Sequence, residues 1–299
     1  MKGRSRRRRP PKPRPSARPG RVWGIFGQPF LDLEGALDLS ALDALDAEIS
    51  RGIAHVETTY TGGTLKWMGV VAPWATDDAY KDAMAVIEAL PDEELQVFFS
   101  LADDPSALRV SERASYRFGD ETDHPFNRAQ ERWLAYRHRV YFPWKVCYHL
   151  LDNDRWEDKH SGDGKDFSAE AREVFPKTVA FVESLPFLEI GRVVIFGLLA
   201  NDHAPAHRDS EPGKALAIAQ SISFEPSRGA PGAADRHKRF FLTAPDGSHE
   251  HPVEAPIYWF NDMDWHGVHA DPWFRYSVRV DGVFEPDFLD RIRVALRRR

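Results

Sequence analysis

The chain has 299 residues, 42% of them hydrophobic and 29% charged: enough apolar material to bury a substantial core, and too much for a disordered protein. Its net charge of -6 conceals a split, because residues 1–21 carry ten Lys or Arg and no acid, leaving 30 bases against 46 acids over residues 22–299. No run approaches the ~18 uninterrupted apolar residues of a membrane span, no apolar segment of a secretory signal follows the basic start, and the single cysteine, Cys147, excludes both an internal disulfide and a zinc site built from several thiolates.

A cytoplasmic protein with no membrane partner is therefore expected. Residues 1–21 combine Arg clusters with Pro10, Pro11, Pro13, Pro15 and Pro19, a composition that favours polyproline conformation and leaves almost nothing to bury; they read as a disordered tail. Leu39, Leu42, Leu45 and Ile49 recur at a helical period. Extended segments fit Ile53–Thr59 and Leu65–Val71, with Thr61-Gly62-Gly63 as the turn between them. A second helix is predicted from Thr76 to Leu90, stopped by Pro91. Residues 103–128 are polar and irregular, Arg128–Tyr141 reads helical, and Asp152–Asp166 is a polar loop. A further helix fits Ser168–Leu185, with Pro176 placed to kink or split it. Cys147 lies in the apolar run 144–150 and reads as buried filler.

After Gly191 the pattern changes. Val193–Ala200, Ala215–Phe224, Lys238–Thr243, His251–Phe260 and Phe274–Phe284 are short β-rich runs separated by Pro, Gly and Asp-Gly punctuation such as Glu211-Pro212-Gly213 and Asp246-Gly247, which favours an antiparallel sandwich or barrel over a parallel α/β sheet. A helix near Pro286–Leu296 closes the chain. The expected fold class is α+β: a basic tail (1–21), a mixed α/β region (22–188) and a β-rich region (189–299).

Within the β-rich half, HAPAHRDSEPG places His207 and Asp209 two apart. Residues i and i+2 of an extended strand point the same way, so an imidazole and a carboxylate there can hold one metal ion. The later stretch DWHGVHADPWFRYSVRVDG offers His266, then Arg275 nine residues on, then Ser277 on the same strand face as Arg275. Two histidines and one carboxylate on one side of a metal leave open positions, a set that suits non-haem Fe(II) handling O2 and a chelating co-substrate. An Arg with a Ser at i+2 can clamp a distal carboxylate through charge-assisted hydrogen bonds. His269-Ala-Asp271 repeats the spacing, but no histidine follows it.

This ordered set resembles the Fe(II)/2-oxoglutarate-dependent oxygenases, particularly their prolyl-hydroxylase-like branch, over roughly residues 190–285. The resemblance implies a C-terminal double-stranded β-helix, or jelly roll, with the α/β half packed on it. It implies Fe(II) held by His207, Asp209 and His266, and 2-oxoglutarate chelating that iron with its distal carboxylate on Arg275 and Ser277. It also implies a hydroxylase that consumes O2, releases succinate and CO2, and acts on an amino acid, a peptide or another metabolite. Relatives that halogenate lack the carboxylate, so Asp209 points to hydroxylation or a related oxidation.

Alternatives stand beside this reading. His269 competes with His266 for the third ligand, since Arg279 lies ten residues beyond it. Arg279 is either a contact for a substrate carboxylate or an ion-paired Arg near the mouth. Arg192 reads as structural, His237, His249 and His251 as loop histidines, His203 as an entrance residue, and Tyr258, Trp259 and Phe260 as core. The tail would bind phosphate backbones non-specifically at most, and no nucleic-acid motif accompanies it. A protein-modifying hydroxylase docked through that tail and a catalytically silent jelly-roll binding module are the competing functions.

Overall fold

The computed structural model describes residues 21–58, 69–71, 83–116, 118, 124–154, 158–209, 218–226 and 240–297. The predicted Thr61-Gly62-Gly63 turn, most of the Leu65–Val71 segment, the Thr76 end of the second helix, Glu211-Pro212-Gly213, His237 and all but the last residue of the tail lie outside them.

Two antiparallel sheets organise the molecule. The larger contains β1 (Phe30–Asp32), β2 (Val146–His149), β5 (Phe187–Leu198), β7 (Gln220–Phe224), β10 (Ile257–Phe260) and β12 (Arg275–Phe284), in the order β1-β10-β7-β12-β5-β2. The smaller contains β6 (Ala204–His207), β8 (Phe240–Thr243), β9 (Glu250–Pro252) and β11 (Trp265–Val268), in the order β6-β11-β8-β9. A minor hairpin joins β3 (Leu151–Asp152) to β4 (Asp166–Phe167). From β5 onward the chain passes back and forth between the two large sheets, an arrangement consistent with a jelly roll. β1 and β2, from the first half of the sequence, extend the larger sheet at its two edges.

The alternation of side chains along these strands explains the layering. On β10, Ile257 and Trp259 enter the outer core, whereas Tyr258 and Phe260 turn inward. On β12, Tyr276, Val278 and Val280 face outward into the same core. Arg275, Ser277 and Arg279, at the alternate positions, line a cavity between the sheets. Four helices cover the outer face: α1 (Leu42–Ile53), α5 (Ala169–Val174), α6 (Pro176–Glu183) and α7 (Pro286–Arg297), contributing Leu45, Ile49, Phe175, Val182 and Phe288 among others. A second small core, rich in Phe98, Phe99, Phe118 and Phe126, is built by α2 (Ala83–Glu88), α3 (Asp92–Ser100) and α4 (Arg128–His138).

Several expectations are corrected. The extended segment predicted from Ile53 is the end of α1 followed by a turn, in which the Ala54, His55 and Val56 amides bond back to Arg51 and Gly52. The helix runs past Ile49 because Gly52 lets it pack on Phe175; a Cβ there would lie 2.1 Å from that ring. Pro91 does not only stop a helix: it is the N-cap of α3, whose first turn carries Asp92, Glu93 and Glu94, the charge that suits the positive helix end. The run predicted over His251–Phe260 is two strands, and β6 and β11 fall between the predicted runs. The Ser168–Leu185 helix is divided before Pro176, as its missing amide requires. No helix among the described residues is long and apolar enough to cross a membrane.

Candidate metal centre

β6 and β11 are paired so that His207 and His266 sit directly opposite each other. Gly267 permits the close approach: a Cβ there would stand 2.7 Å from the Ala204 carbonyl oxygen of the neighbouring strand. The two imidazoles are 4.5 Å apart between ring centres. Asp209 follows two residues after His207, and its backbone amide donates to the Asp262 carbonyl at 3.0 Å, which turns its side chain toward the histidines. Asp209 Oδ1 then lies 3.6 Å from His207 Nε2 and 3.4 Å from His266 Nε2. One donor atom from each of the three lies within 4.8 Å of the others, and all three side chains are over nine-tenths buried.

The state of each donor is fixed by its second partner. His207 Nδ1 is 2.8 Å from the Pro205 carbonyl oxygen and His266 Nδ1 is 2.9 Å from that of Asp264. A carbonyl only accepts, so Nδ1 carries a hydrogen in both rings, and Nε2 is the nitrogen turned to the centre. Burial, with His266 beside it, pushes the His207 pKa down to about 4, which keeps that ring neutral near neutral pH. Burial alone would raise the Asp209 carboxyl, but His266, Arg279 and His207 outweigh it and hold the group well below the ordinary carboxylate range. Two imidazole nitrogens and a carboxylate oxygen gathered on one side are the donor set that Fe(II) takes.

Asp209 Oδ2 points away and accepts from Arg279 Nη1 at 2.6 Å. Of the two roles the sequence left open for Arg279, the structure shows the ion-paired one, with three of the protein's own carboxylates: Asp209, Asp281 at 3.0 Å and Asp262 at 3.3 Å. Asp262 also binds Lys159 at 2.8 Å, and Asp281 pairs with Arg192 directly across β5 and β12. Burial works against the Asp281 carboxylate, yet Arg192, Arg279 and Lys159 bring its pKa down to about 2. These buried ions are mutually compensated, the condition under which such groups are tolerated.

Arg275 and Ser277 line the same cavity, alongside Phe196, Tyr258 and Phe260. The cavity is tight, with about 50 Å³ open to the centre of a water molecule, and it includes His207, Asp209 and His266. Arg275 Nη2 donates to Glu225 Oε1 at 2.5 Å, and the Tyr258 hydroxyl donates to the same oxygen at 3.3 Å. His269 lies outside: it is exposed, stacked on Phe241 and 2.8 Å from Glu250. His203 stacks on Tyr141 at 4.8 Å between ring centres. Cys147 is buried, and burial pushes its thiol up, away from nucleophilic use.

Sequence reasoning missed Glu225, Lys159, Asp262 and Asp264. Asp262 and Asp264 had a local signal, as acids just before His266; the other two had none. Asp264 supplies the carbonyl for His266, and its carboxylate accepts from the Trp23 and Gly24 amides at 2.6 and 2.7 Å. Asp264→Ala keeps that carbonyl but frees its backbone from Trp23 and Gly24, and should thereby weaken Co(II) binding about tenfold, the scale of outer-sphere losses at metal sites, as read by visible titration; unchanged affinity would show that the carboxylate clamp does not support His266.

No protein-family model and no curated protein sequence matches this chain. Among solved structures it is similar to a prolyl-4-hydroxylase from Pseudomonas putida, at 15% identity over 36% of this chain and 59% of that one, with a TM-score of 0.25. It is also similar to a 2OG-Fe(II) oxygenase family oxidoreductase from Burkholderia pseudomallei, at 14% identity over 45% and 65% of the two chains, with a TM-score of 0.28. A third likeness, to a DMSP lyase from Ruegeria pomeroyi, covers 81% of this chain and 90% of that one at 14% identity and a TM-score of 0.26. The chain spans less than two thirds of the first two structures, and likeness this slight assigns no activity; the site's own geometry has to carry the functional reading.

Proposed function

We propose that this protein is a non-haem Fe(II)- and 2-oxoglutarate-dependent dioxygenase that hydroxylates an unactivated C–H bond of an amino acid, peptide or other metabolite. The observation that carries the proposal is the inward-facing set of His207 Nε2, His266 Nε2 and Asp209 Oδ1, with both Nδ1 atoms tied to carbonyls, in one cavity with Arg275. We infer further that the two sheets are the halves of a double-stranded β-helix spanning β5 to β12, with the first half of the chain as its outer support.

In this reading His207 and His266 each give one lone pair and Asp209 one oxygen, while Arg279 holds the other carboxylate oxygen and keeps Asp209 turned. Iron bound there with 2-oxoglutarate supplies O2 activation, in which the co-substrate becomes succinate and CO2 and one oxygen atom goes to the substrate. Arg275 and Ser277 bind the distal carboxylate. Phe196, Phe240, Phe260 and Val268, which line the same cavity, exclude water from it and leave an apolar space for the carbon to be oxidised.

Arg275→Ala should raise the 2-oxoglutarate requirement at least tenfold with Fe(II) affinity nearly unchanged, because it removes an anion partner and no metal ligand. Equal loss of both would mean that the Arg serves the metal site. The Arg275–Glu225 pair also favours a second reading, a metal-binding jelly roll in which this Arg is structural and no 2-oxo acid is used. Succinate formation from 2-oxoglutarate by the Fe(II)-loaded protein under O2 separates the two. Metal-dependent succinate release supports the dioxygenase, and its absence across a screen of amino acids and peptides supports the silent module.

A further inference from the structure

Arg275 is the cation that the co-substrate reading assigns to a ligand's carboxylate, yet it already has one. Glu225, just after the end of β7, is 4% exposed and meets the guanidinium at 2.5 Å, while the Tyr258 hydroxyl donates to the same carboxylate oxygen. Both Arg275 and Tyr258 line the cavity. The pair is internal to the barrel, with side-chain exposures of 8% and 5%, so its attraction is only weakly screened by solvent.

Charge bookkeeping makes this pairing consequential. Asp209, Asp262 and Asp281 are matched by Arg279, Lys159 and Arg192; Glu225 matches Arg275. A divalent metal then adds the only uncompensated charge among these described groups. The metal end of the cavity thus calls for an anionic chelator, whereas the Arg275 end is already neutral. A 2-oxo acid with a single carboxylate satisfies the metal end and leaves the ion pair alone. A dicarboxylic 2-oxo acid brings a second carboxylate to a guanidinium that Glu225 holds, and two carboxylates on one buried cation repel each other.

We propose that Glu225 is the resident counter-ion of the Arg275 subsite, which an incoming distal carboxylate must displace, and that it thereby sets which 2-oxo acid the cavity accepts. This rests on the 2-oxoglutarate reading above. Glu225 is a specificity-determining residue here: its charge lowers the affinity for a dicarboxylate and leaves a monocarboxylate of the same chain length untouched. Tyr258 holds Glu225 in place and receives it when Arg275 changes partners.

The test is calorimetric titration of the anaerobic, Fe(II)-loaded full-length protein with 2-oxoglutarate and with 2-oxopentanoate, which has the same five carbons and no distal carboxylate. Glu225→Gln keeps the shape and removes the charge; it should tighten 2-oxoglutarate binding tenfold or more and change 2-oxopentanoate by less than twofold. Glu225→Asp, which draws the charge back by one methylene, should move 2-oxoglutarate the same way by a smaller factor and serves if the Gln variant does not fold. Unchanged or weaker 2-oxoglutarate binding in both variants would overturn the proposal and make Glu225 a residue that only orients Arg275. Failure of both acids to bind the iron-loaded wild-type protein would instead contradict the co-substrate reading itself, and with it this subsite.

Discussion

Asp209→Asn is expected to abolish Fe(II) binding and succinate formation while leaving the protein folded. The two carboxylate oxygens have separate partners: Oδ1 stands 3.4 Å from His266 Nε2 and 3.6 Å from His207 Nε2, and Oδ2 accepts from Arg279 at 2.6 Å. An amide has one acceptor and one donor end. The Arg279 guanidinium, a donor only, selects the amide oxygen and turns the NH2 group to the centre, where it has no lone pair to give a metal. Fe(II) affinity should fall at least a hundredfold, measured by competition with a chromophoric chelator, while the far-ultraviolet circular dichroism spectrum stays as in the wild type. Retained metal binding would show that the two histidines suffice.

The second large effect is on stability. Arg279 is 6% exposed and contacts Asp209, Asp262 and Asp281; burial alone would weaken its charge, but these carboxylates raise its pKa. Arg279→Ala leaves Lys159 to Asp262 and Arg192 to Asp281. It strips Asp209 of the cation that compensates it. Breaking a buried ion pair from one side costs about 3–5 kcal/mol, so chemical denaturation should show a loss of that order in the metal-free protein. A divalent metal then becomes the counter-ion to Asp209, and saturating Mn(II) should stabilise the variant more than the wild type by linkage. A loss below about 1 kcal/mol, with no extra metal effect, would mean that Arg279 is replaceable by water.

These outcomes depend on groups that differ in how plainly the sequence shows them. The candidate metal-ligating trio was legible because such chemistry demands particular residue types at a strand spacing, and His207, Asp209 and His266 do lie together. The break before Pro176 was legible because proline lacks the amide that a continuous helix needs. β11 was not, since four residues buried on both faces show no alternation to read, and β6 was hidden because its four residues include Pro205, which reads as punctuation. α3 was obscured because a proline reads as a stop for one helix and as the opening of the next alike. Glu225 and Lys159 were invisible for a different reason: their partners Arg275 and Asp262 lie 50 and 103 residues away, and only the folded register brings them together. That is why the sequence suggested an Arg awaiting a ligand and the structure shows one already paired.

The central claim is that His207, Asp209 and His266 hold an iron to which 2-oxoglutarate chelates, and anaerobic visible spectroscopy tests it most directly. Adding 2-oxoglutarate to the Fe(II)-loaded protein without O2 should produce the weak metal-to-ligand charge-transfer absorption of a bidentate 2-oxo acid on Fe(II), saturating at one equivalent and missing from Asp209→Asn and His266→Ala. A wild-type protein that binds Fe(II) yet shows no such band at saturating 2-oxoglutarate would contradict the account.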